Sequence, residues 1–140
     1  MDMKAPRVGI EILIIRGNKI LLGLLTKKWM VNGVQVYGVP GRDLNFQEKI
    51  GDCIKRNIKD ELNCTCTSYT IISVNTNYAW DNHYVNIGAT AQISGDITLM
   101  KPEDWESWEW FDLKSLPHNI FPSAKSTIDC YLTNTVNISQ

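Results

Sequence analysis

The chain has 140 residues, a length typical of a single domain that buries its own core without disulfides. Apolar residues make up 44% of the chain and charged residues 21%, which is the composition of a soluble globular domain. The 14 Lys and Arg against 15 Asp and Glu give a formal net charge of −1. This balance argues against a protein that binds nucleic acid polymers through a basic surface.

The cysteines and the N-terminal segment indicate a protein of the cytoplasm. The four cysteines and two histidines form no zinc-binding spacing, so we expect reduced thiols at Cys53, Cys64, Cys66 and Cys130. The apolar run at 8–15 contains Glu11 and is too short to cross a membrane, and the first residues lack the layout of a signal peptide.

The first third of the chain predicts strands. Residues 8–15 are rich in β-branched side chains, and residues 19–25 follow a turn at Gly17 and Asn18, so the two runs predict a hairpin. A loop at 26–35 leads to a short strand at 36–39, which Pro40 and Gly41 terminate.

Residues 48–62 predict a helix. Ile50, Ile54, Ile58 and Leu62 recur every four residues and form an apolar stripe, and Asn63 is a plausible helix stop.

The second half predicts three strands, at 69–74, 83–93 and 105–111, and a last helix at 124–133 capped by Ser123. The element order predicts one α+β domain over 1–140, with a mixed sheet sandwiched between helices. We expect a core at about 7–132 and flexible ends at 1–6 and 134–140.

The predicted helix carries the residues with chemical potential. Asn57 and Glu61 are four residues apart and share a face, Asp60 adjoins Glu61, and Arg56 can form an ion pair with Asp60. This face borders the apolar stripe, so we expect it to meet a cleft, where oxygen donors and loop carbonyls suit Mg²⁺. The alternative is an amphipathic helix whose charges are solvated.

The segment from Pro40 to Asn63 resembles the Nudix box, G-x5-E-x7-R-E-U-x-E-E-x-G-U with U aliphatic. The matching residues are the lead-in Pro40-Gly41, then Glu48, Arg56, Ile58, Asp60 and Glu61. Downstream, residues 82–85, 106–110 and 113–117 are similar to the branch that hydrolyses oxidised nucleotides and deoxynucleoside triphosphates. The resemblance implies a Nudix fold over nearly the whole chain.

Nudix hydrolases cleave nucleoside diphosphates linked to another group, using Mg²⁺ or Mn²⁺. The resemblance implies that Asp60, Glu61 and the Gly41 carbonyl are metal ligands. Arg56 would orient the acids, and Glu48 would brace the loop or assist at a second metal. It also implies a small nucleotide substrate and, as in many relatives, a homodimer.

The box departs from the family pattern at several positions. Arg42 replaces the box glycine, Asn57 replaces a metal-binding Glu, and Asn63 replaces the late glycine. The first paired acid is shortened to Asp60, and Leu25 stands where many relatives have an Arg. Asn57 offers an oxygen without charge, so we expect an altered role for it among the catalytic residues.

These departures leave three functions open. The first is a Nudix pyrophosphohydrolase of nucleoside diphosphate or triphosphate derivatives, with damaged or noncanonical nucleotides first. The second is a nucleotide-sugar hydrolase of the GDP-mannose type, whose base would be His83 or His118. The third is an inactive Nudix-like module that binds a nucleotide or a protein.

Four further residues are candidates for substrate binding. Trp110 could stack on the base, Lys27 and Arg42 could meet phosphate, and His83 could contact phosphate or act as a general base. The structural alternatives are core packing for Trp110, solvated charge for Lys27 and an ordinary hydrogen bond for His83.

Overall fold

The computed structural model describes residues 4–139, so the expectations for 1–3 and Gln140 lie outside the described residues. Within that range the strands are β1 (Arg7–Arg16), β2 (Lys19–Leu25), β3 (Tyr37–Gly38), β4 (Thr65–Ala79), β5 (Asn82–Ser94) and β6 (Trp105–Asp112). The helices are α1 (Ile50–Leu62), α2 (Pro122–Thr133) and a 3-10 turn at Lys27–Trp29. No helix among residues 4–139 has the length and apolar character needed to span a membrane.

The strands form a mixed sheet in the order β3-β2-β1-β5-β4, with β6 also paired to β2. β1 runs parallel to β5 along most of its length, but it pairs with β2 only beside their turn, at Ile15–Ile20 and Arg16–Lys19. The predicted α+β class with a mixed sheet is therefore confirmed.

The box loop fills the gap where β1 and β2 diverge. The Ile12 N–H donates to the Pro40 carbonyl at 2.8 Å, and the Ile10 N–H donates to the Arg42 carbonyl at 3.1 Å. Since these bonds continue the edge of β1, they hold the loop between two strands that would otherwise expose unpaired backbone.

The two faces of the sheet are covered by different helices. Side chains alternate along a strand, so Ile10, Ile12 and Ile14 of β1 pack towards α1, whereas Leu13 and Ile15 pack in the core that contains α2 residues. Burial of each aliphatic side chain contributes roughly 1.5–3 kcal/mol, which makes β1 the central support of both layers.

Helix boundaries differ slightly from those predicted. α1 begins at Ile50, and it ends as predicted at Asn63, whose φ of 57° is left-handed. α2 begins at Pro122 after an N-cap at Phe121, because proline is favoured in the first helical turn. The prediction of Ser123 as the N-cap is therefore wrong, since Ser123 lies inside the helix.

The C-terminal tail forms hydrogen bonds with the rest of the chain. The Val74 N–H donates to the Val136 carbonyl at 2.9 Å, and the Ile138 N–H donates to Asn75 Oδ1 at 2.9 Å. These contacts lie along β4, which at Thr65–Ala79 is much longer than the predicted strand at 69–74. Residues of the tail therefore bond to an edge strand that the sequence pattern understated, and the flexibility of the tail stays a prediction.

Candidate functional site

A pocket of about 510 Å³ opens between the box loop, β1, the β4–β5 hairpin and the start of α2. Gly41, Arg42 and Asp43 of the box loop line one end, with Glu11 of β1 and Ser123 of α2 beside them. The other end is lined by aromatic side chains, namely Trp29, Trp80 and Phe121. The pocket therefore combines a charged end with an aromatic end.

Gly41 links the box loop to the box helix. Its φ is +140°, and a Cβ there would collide with the Ile10 carbonyl oxygen, so only glycine fits this position. The Gly41 N–H donates to Glu61 Oε1 at 3.0 Å. The close approach of the loop to β1 thus places a backbone donor where α1 presents its acid.

Glu61 is fully buried, with 0% of its surface exposed. One carboxylate oxygen accepts the Gly41 bond, whereas Oε2 makes no hydrogen bond of normal geometry and lies near the Trp105 side chain, whose Nε1 is also unsatisfied. Burial raises the pKa of Glu61 to about 7, although the Gly41 N–H and the charge of Arg42 oppose the shift. An unpartnered oxygen in this setting suits a cation, because burying a carboxylate without compensation is costly.

Glu11 is a second acid at the site, partly buried, and it was not among the sequence candidates. It lines the pocket from β1, and the Ser123 hydroxyl donates to its Oε1. Burial raises its pKa to about 7, the Ser123 bond lowers it, and the charge of Glu61 raises it further. The sequence signal was a lone acid inside an aliphatic strand.

Arg56 and Glu48 form the brace between helix and loop. Arg56 Nε donates to Glu48 Oε2 at 2.8 Å and Nη2 donates to Oε1 at 3.0 Å, while Glu48 Oε1 also accepts from the Asn45 N–H at 3.0 Å. The hydrogen bonds from Arg56 and Asn45 lower the pKa of Glu48 to about 2. Arg56 also lines the pocket, so this ion pair shapes its charged end.

In the structure, the three polar residues on the predicted helix face lie in different environments. Asn57 is buried beside Glu61 on the same helix, and its amide donates to the Cys53 carbonyl at 2.8 Å. The Asp60 side chain is 46% exposed, lies 3.8 Å from Arg56 Nη1 and does not line the pocket. Asp60 is thus more exposed than Glu61, because the turn of about 100° per helical residue carries it outward, and its role as a metal ligand stays a prediction.

Arg42 reaches the pocket, and an acid that the sequence analysis missed holds it there. Arg42 forms an ion pair with Asp104, a buried residue before β6. Trp29 Nε1 donates to Asp104 Oδ1 at 2.9 Å, and Lys28 Nζ lies 3.5 Å away. Burial works to raise the pKa of Asp104, but the Trp29 bond and the charges of Arg42 and Lys28 outweigh it and lower the pKa.

The other three predicted binding residues lie away from the pocket. Lys27 is exposed in the 3-10 turn. His83 stacks on Tyr78 with ring centroids 4.8 Å apart, and Trp110 lies under Arg16 at 5.0 Å and packs against the core on the α1 side. None of the three lines this pocket, and their roles in substrate binding stay predictions. Side chains alternate along a strand, so in β5 the neighbours of His83, Asn82 and Tyr84, line the pocket. In β6 the tryptophan that lines the pocket is Trp105.

The aromatic end was also missed by the sequence analysis, which did not single out Trp80. Trp80 and Phe121 stack with centroids 5.1 Å apart and planes at 10°, and Trp29 meets Trp80 edge-on at 5.3 Å. These residues come from three segments far apart in the sequence, and together they form an apolar wall of the kind on which a planar ring stacks.

The carboxylates of the site can supply only a few ligands to a metal ion. Among residues 4–139, no group of three or more His, Cys, Asp or Glu side chains is arranged to hold an ion. Glu61 Oε2 nevertheless offers a buried oxygen that makes no hydrogen bond of normal geometry. Because Mg²⁺ is commonly held by one or two carboxylates together with substrate phosphates, the site fits a cation that arrives with a nucleotide.

No family model matches the sequence. The fold, however, is similar to a MutT Nudix hydrolase from Burkholderia pseudomallei, with a TM-score of 0.81, 25% identity and coverage of 90% of this chain and 98% of that one. It is also similar to a MutT protein from Methanosarcina mazei Go1, with a TM-score of 0.79, 13% identity and coverage of 95% and 97%. A UDP-X diphosphatase matches with a TM-score of 0.74, 11% identity and coverage of 100% of this chain and 70% of that one.

These likenesses agree with the residues of the box that the chain retains. Glu48, Arg56 and Glu61 lie around the loop at Gly41, in the arrangement described above. The chain therefore has the fold of the MutT-like Nudix hydrolases and is similar to them.

Proposed function

We propose that the protein is a metal-dependent Nudix pyrophosphohydrolase that acts on a nucleoside diphosphate or triphosphate derivative, with Mg²⁺ or Mn²⁺ as cofactor. The observation that carries this proposal is the pocket itself, in which the box loop, whose Gly41 N–H holds the buried Glu61, lies together with an aromatic wall. The likeness to Nudix hydrolases supports the same activity. A cytoplasmic homodimer stays a prediction from the sequence.

The charged end of the pocket has the groups that phosphates require. Glu61 would hold the cation, with the Gly41 backbone fixing the carboxylate. A divalent cation bound there neutralises phosphate charge and lowers the pKa of bound water. Arg42 and Arg56 add positive charge at the same end, and Arg56 also positions the box loop through Glu48.

The aromatic end suits a nucleobase. Stacking on Trp80 and Phe121 would contribute on the order of 1–3 kcal/mol for any base. The side-chain amides of Asn77, Asn82 and Asn86 line the same pocket and offer both donors and acceptors to base edges or sugar hydroxyls. We therefore propose damaged or noncanonical deoxynucleoside triphosphates as the first substrates to test.

One observation favours a second candidate, a nucleotide-binding module without turnover. The amide of Asn57 donates to the Cys53 carbonyl. The residue at this box position therefore bonds to the helix backbone, where the family pattern has a metal-binding acid. The nucleotide-sugar alternative receives less support, because His83 is stacked on Tyr78 and His118 is exposed.

The test is release of phosphate or pyrophosphate from a panel of nucleotides with Mg²⁺ or Mn²⁺. We expect metal-dependent turnover that Glu61→Gln lowers about 100-fold or more, because a charge held at the reacting phosphates is lost. Asp60→Asn is the matched control and should change turnover by less than about threefold, since Asp60 is exposed.

Two results would contradict catalysis. The first is an absence of metal-dependent turnover on every member of the panel. The second is a rise in thermal stability with nucleotide but without turnover, which would support the binding module, because a ligand of the native state stabilises it.

A further inference from the structure

Glu11 occupies a position where packing alone would favour an aliphatic residue. Leu13 and Ile15 follow it on the same face of β1, and both are buried in the core that also contains Ile128 of α2. Enclosing a carboxylate at such a position costs free energy unless a partner compensates for its lost hydration. The placement of Glu11 therefore calls for an interaction that core packing does not supply.

The backbone brings Glu11 directly to the box loop. A Cβ built on Gly41 would lie 3.4 Å from the Cα of Glu11, so loop and strand are in contact at this point. From the other side, the Ser123 hydroxyl donates to Glu11 Oε1. One such bond leaves most of the lone pairs of the carboxylate free, and Glu11 lines the pocket.

Glu61 approaches the same loop from α1. It is fully buried, its Oε1 is held by Gly41, and its Oε2 is unpartnered. Glu11 and Glu61 therefore both adjoin Gly41, which contacts Glu11 through the backbone and Glu61 Oε1 through its N–H at 3.0 Å. The guanidinium groups nearby are engaged elsewhere, since Arg42 pairs with Asp104 and Arg56 pairs with Glu48.

We propose that Glu11 and Glu61 jointly hold the divalent cation, with Glu11 supplying from β1 the carboxylate that the box helix lacks at Asn57. This inference rests on the proposed function and deepens it. Two carboxylates neutralise a divalent cation, and substrate phosphates and water can complete its coordination, as is usual for Mg²⁺. Ser123 is a positioning residue, because it fixes one oxygen of Glu11.

Binding of Mn²⁺ tests the proposal without reference to turnover. Chelator-treated protein is titrated with Mn²⁺, and free Mn²⁺ is followed by its electron paramagnetic resonance signal, with and without a nonhydrolysable nucleoside triphosphate. We expect Glu11→Gln and Glu61→Gln each to raise the Kd for Mn²⁺ at least tenfold. Asp60→Asn should leave the Kd within twofold, although the box pattern alone assigns the ligand to Asp60.

The variant Glu11→Gln distinguishes a role of Glu11 as a metal ligand from a purely structural role. Glutamine keeps the volume of the side chain and an oxygen that can accept the Ser123 hydroxyl, so a purely structural role would leave the Kd unchanged. Glu11→Leu is the second variant, because it matches Leu13 on the same face and keeps the core filled. Circular dichroism of both variants confirms the fold.

Each outcome decides the question. If Glu11→Gln and Glu11→Leu bind Mn²⁺ like the wild type while Glu61→Gln does not, the inference is overturned and the proposed function stands. Loss of binding in Asp60→Asn but not in the Glu11 variants has the same meaning and restores the ligand set of the box. If the wild type binds no Mn²⁺ even with the nucleotide, both the inference and the proposed metal dependence are overturned.

Discussion

Helix α1 and strand β1 both bring acids to the region of the box loop, but they place them in different environments. α1 exposes Asp60 to solvent and buries Glu61, whereas β1 partly buries its single acid, Glu11, against α2. The box pattern treats Asp60 and Glu61 as a pair. The proposed cation site instead pairs Glu61 with Glu11, which lies 50 positions earlier in the chain.

This difference shows why burial is more informative than motif position in a degenerate site. An exposed carboxylate such as Asp60 costs little to keep, so its presence indicates little about function. A buried carboxylate such as Glu61 and a partly buried one such as Glu11 destabilise the fold when they lie near each other, unless a cation compensates their charges. Such groups mark functional sites more often than they mark structural ones.

Among the substitutions that test this comparison, we expect the largest change in stability from Asn57→Glu, which restores the acid of the box. The new carboxylate cannot donate to the Cys53 carbonyl and would lie beside Glu61 in a buried position. We expect the metal-free variant to lose about 2–4 kcal/mol of unfolding free energy in urea denaturation. Turnover should rise by less than about threefold, because Glu11 already provides the second carboxylate.

Asn57→Asp, a shorter acid, is the control for the size of the new side chain. A rise in turnover of tenfold or more in Asn57→Glu would contradict the pairing of Glu11 with Glu61. It would mean that the box helix alone holds the cation and that Asn57 had impaired the site.

The second prediction concerns Glu11 in the metal-free protein. Its pKa rises from 4.5 to about 7 on folding, so the unfolded chain releases this proton first as the pH increases. Stability should therefore fall between about pH 4.5 and pH 7 and stay low above that range. Glu11→Gln removes the burial penalty and should stabilise the chelated protein by about 2–3 kcal/mol at pH 8, with no gain near pH 4.

Thermal or urea unfolding at the two pH values measures this effect, with Glu109→Gln, an exposed acid on β6, as the control. In excess Mn²⁺, the wild type should be more stable than Glu11→Gln. Equal stability of wild type and Glu11→Gln at pH 8 would show that Glu11 is already compensated without a cation.

The parts of the site that follow from local pattern could be predicted from the sequence. The helix stripe, its end at Asn63 and the Arg56–Asp60 pair all depend on residues less than 16 positions apart. At this range the helical repeat fixes which side chains are neighbours. The hairpin of β1 and β2 followed from turn residues for the same reason.

The parts of the site that depend on long-range packing could not be predicted. Asp104 meets Arg42, and Trp80 meets Phe121, through the closure of the sheet and loops around the pocket. The face of the sheet on which His83 and Trp110 lie depends on strand register, and a shift of one residue moves every side chain to the other face. The apolar neighbours of Glu11 predicted a buried strand but not the α2 hydroxyl that receives its acid.

The smallest effect is expected from Glu48, an acid that is compensated by its partner and therefore contrasts with Glu11. Arg56 lowers the pKa of Glu48 from 4.5 to about 2, so this pair stabilises the fold above about pH 4.5 and loses its contribution as the pH falls towards 2. Glu48→Gln should cost about 1 kcal/mol of unfolding free energy at pH 7 and nothing near pH 2, as measured by urea unfolding at each pH. Glu106→Gln, an exposed acid on β6, serves as the control. A stabilising effect of Glu48→Gln at pH 7 would place Glu48 in the same class as Glu11, since an acid whose removal stabilises the metal-free fold is one that waits for a cation.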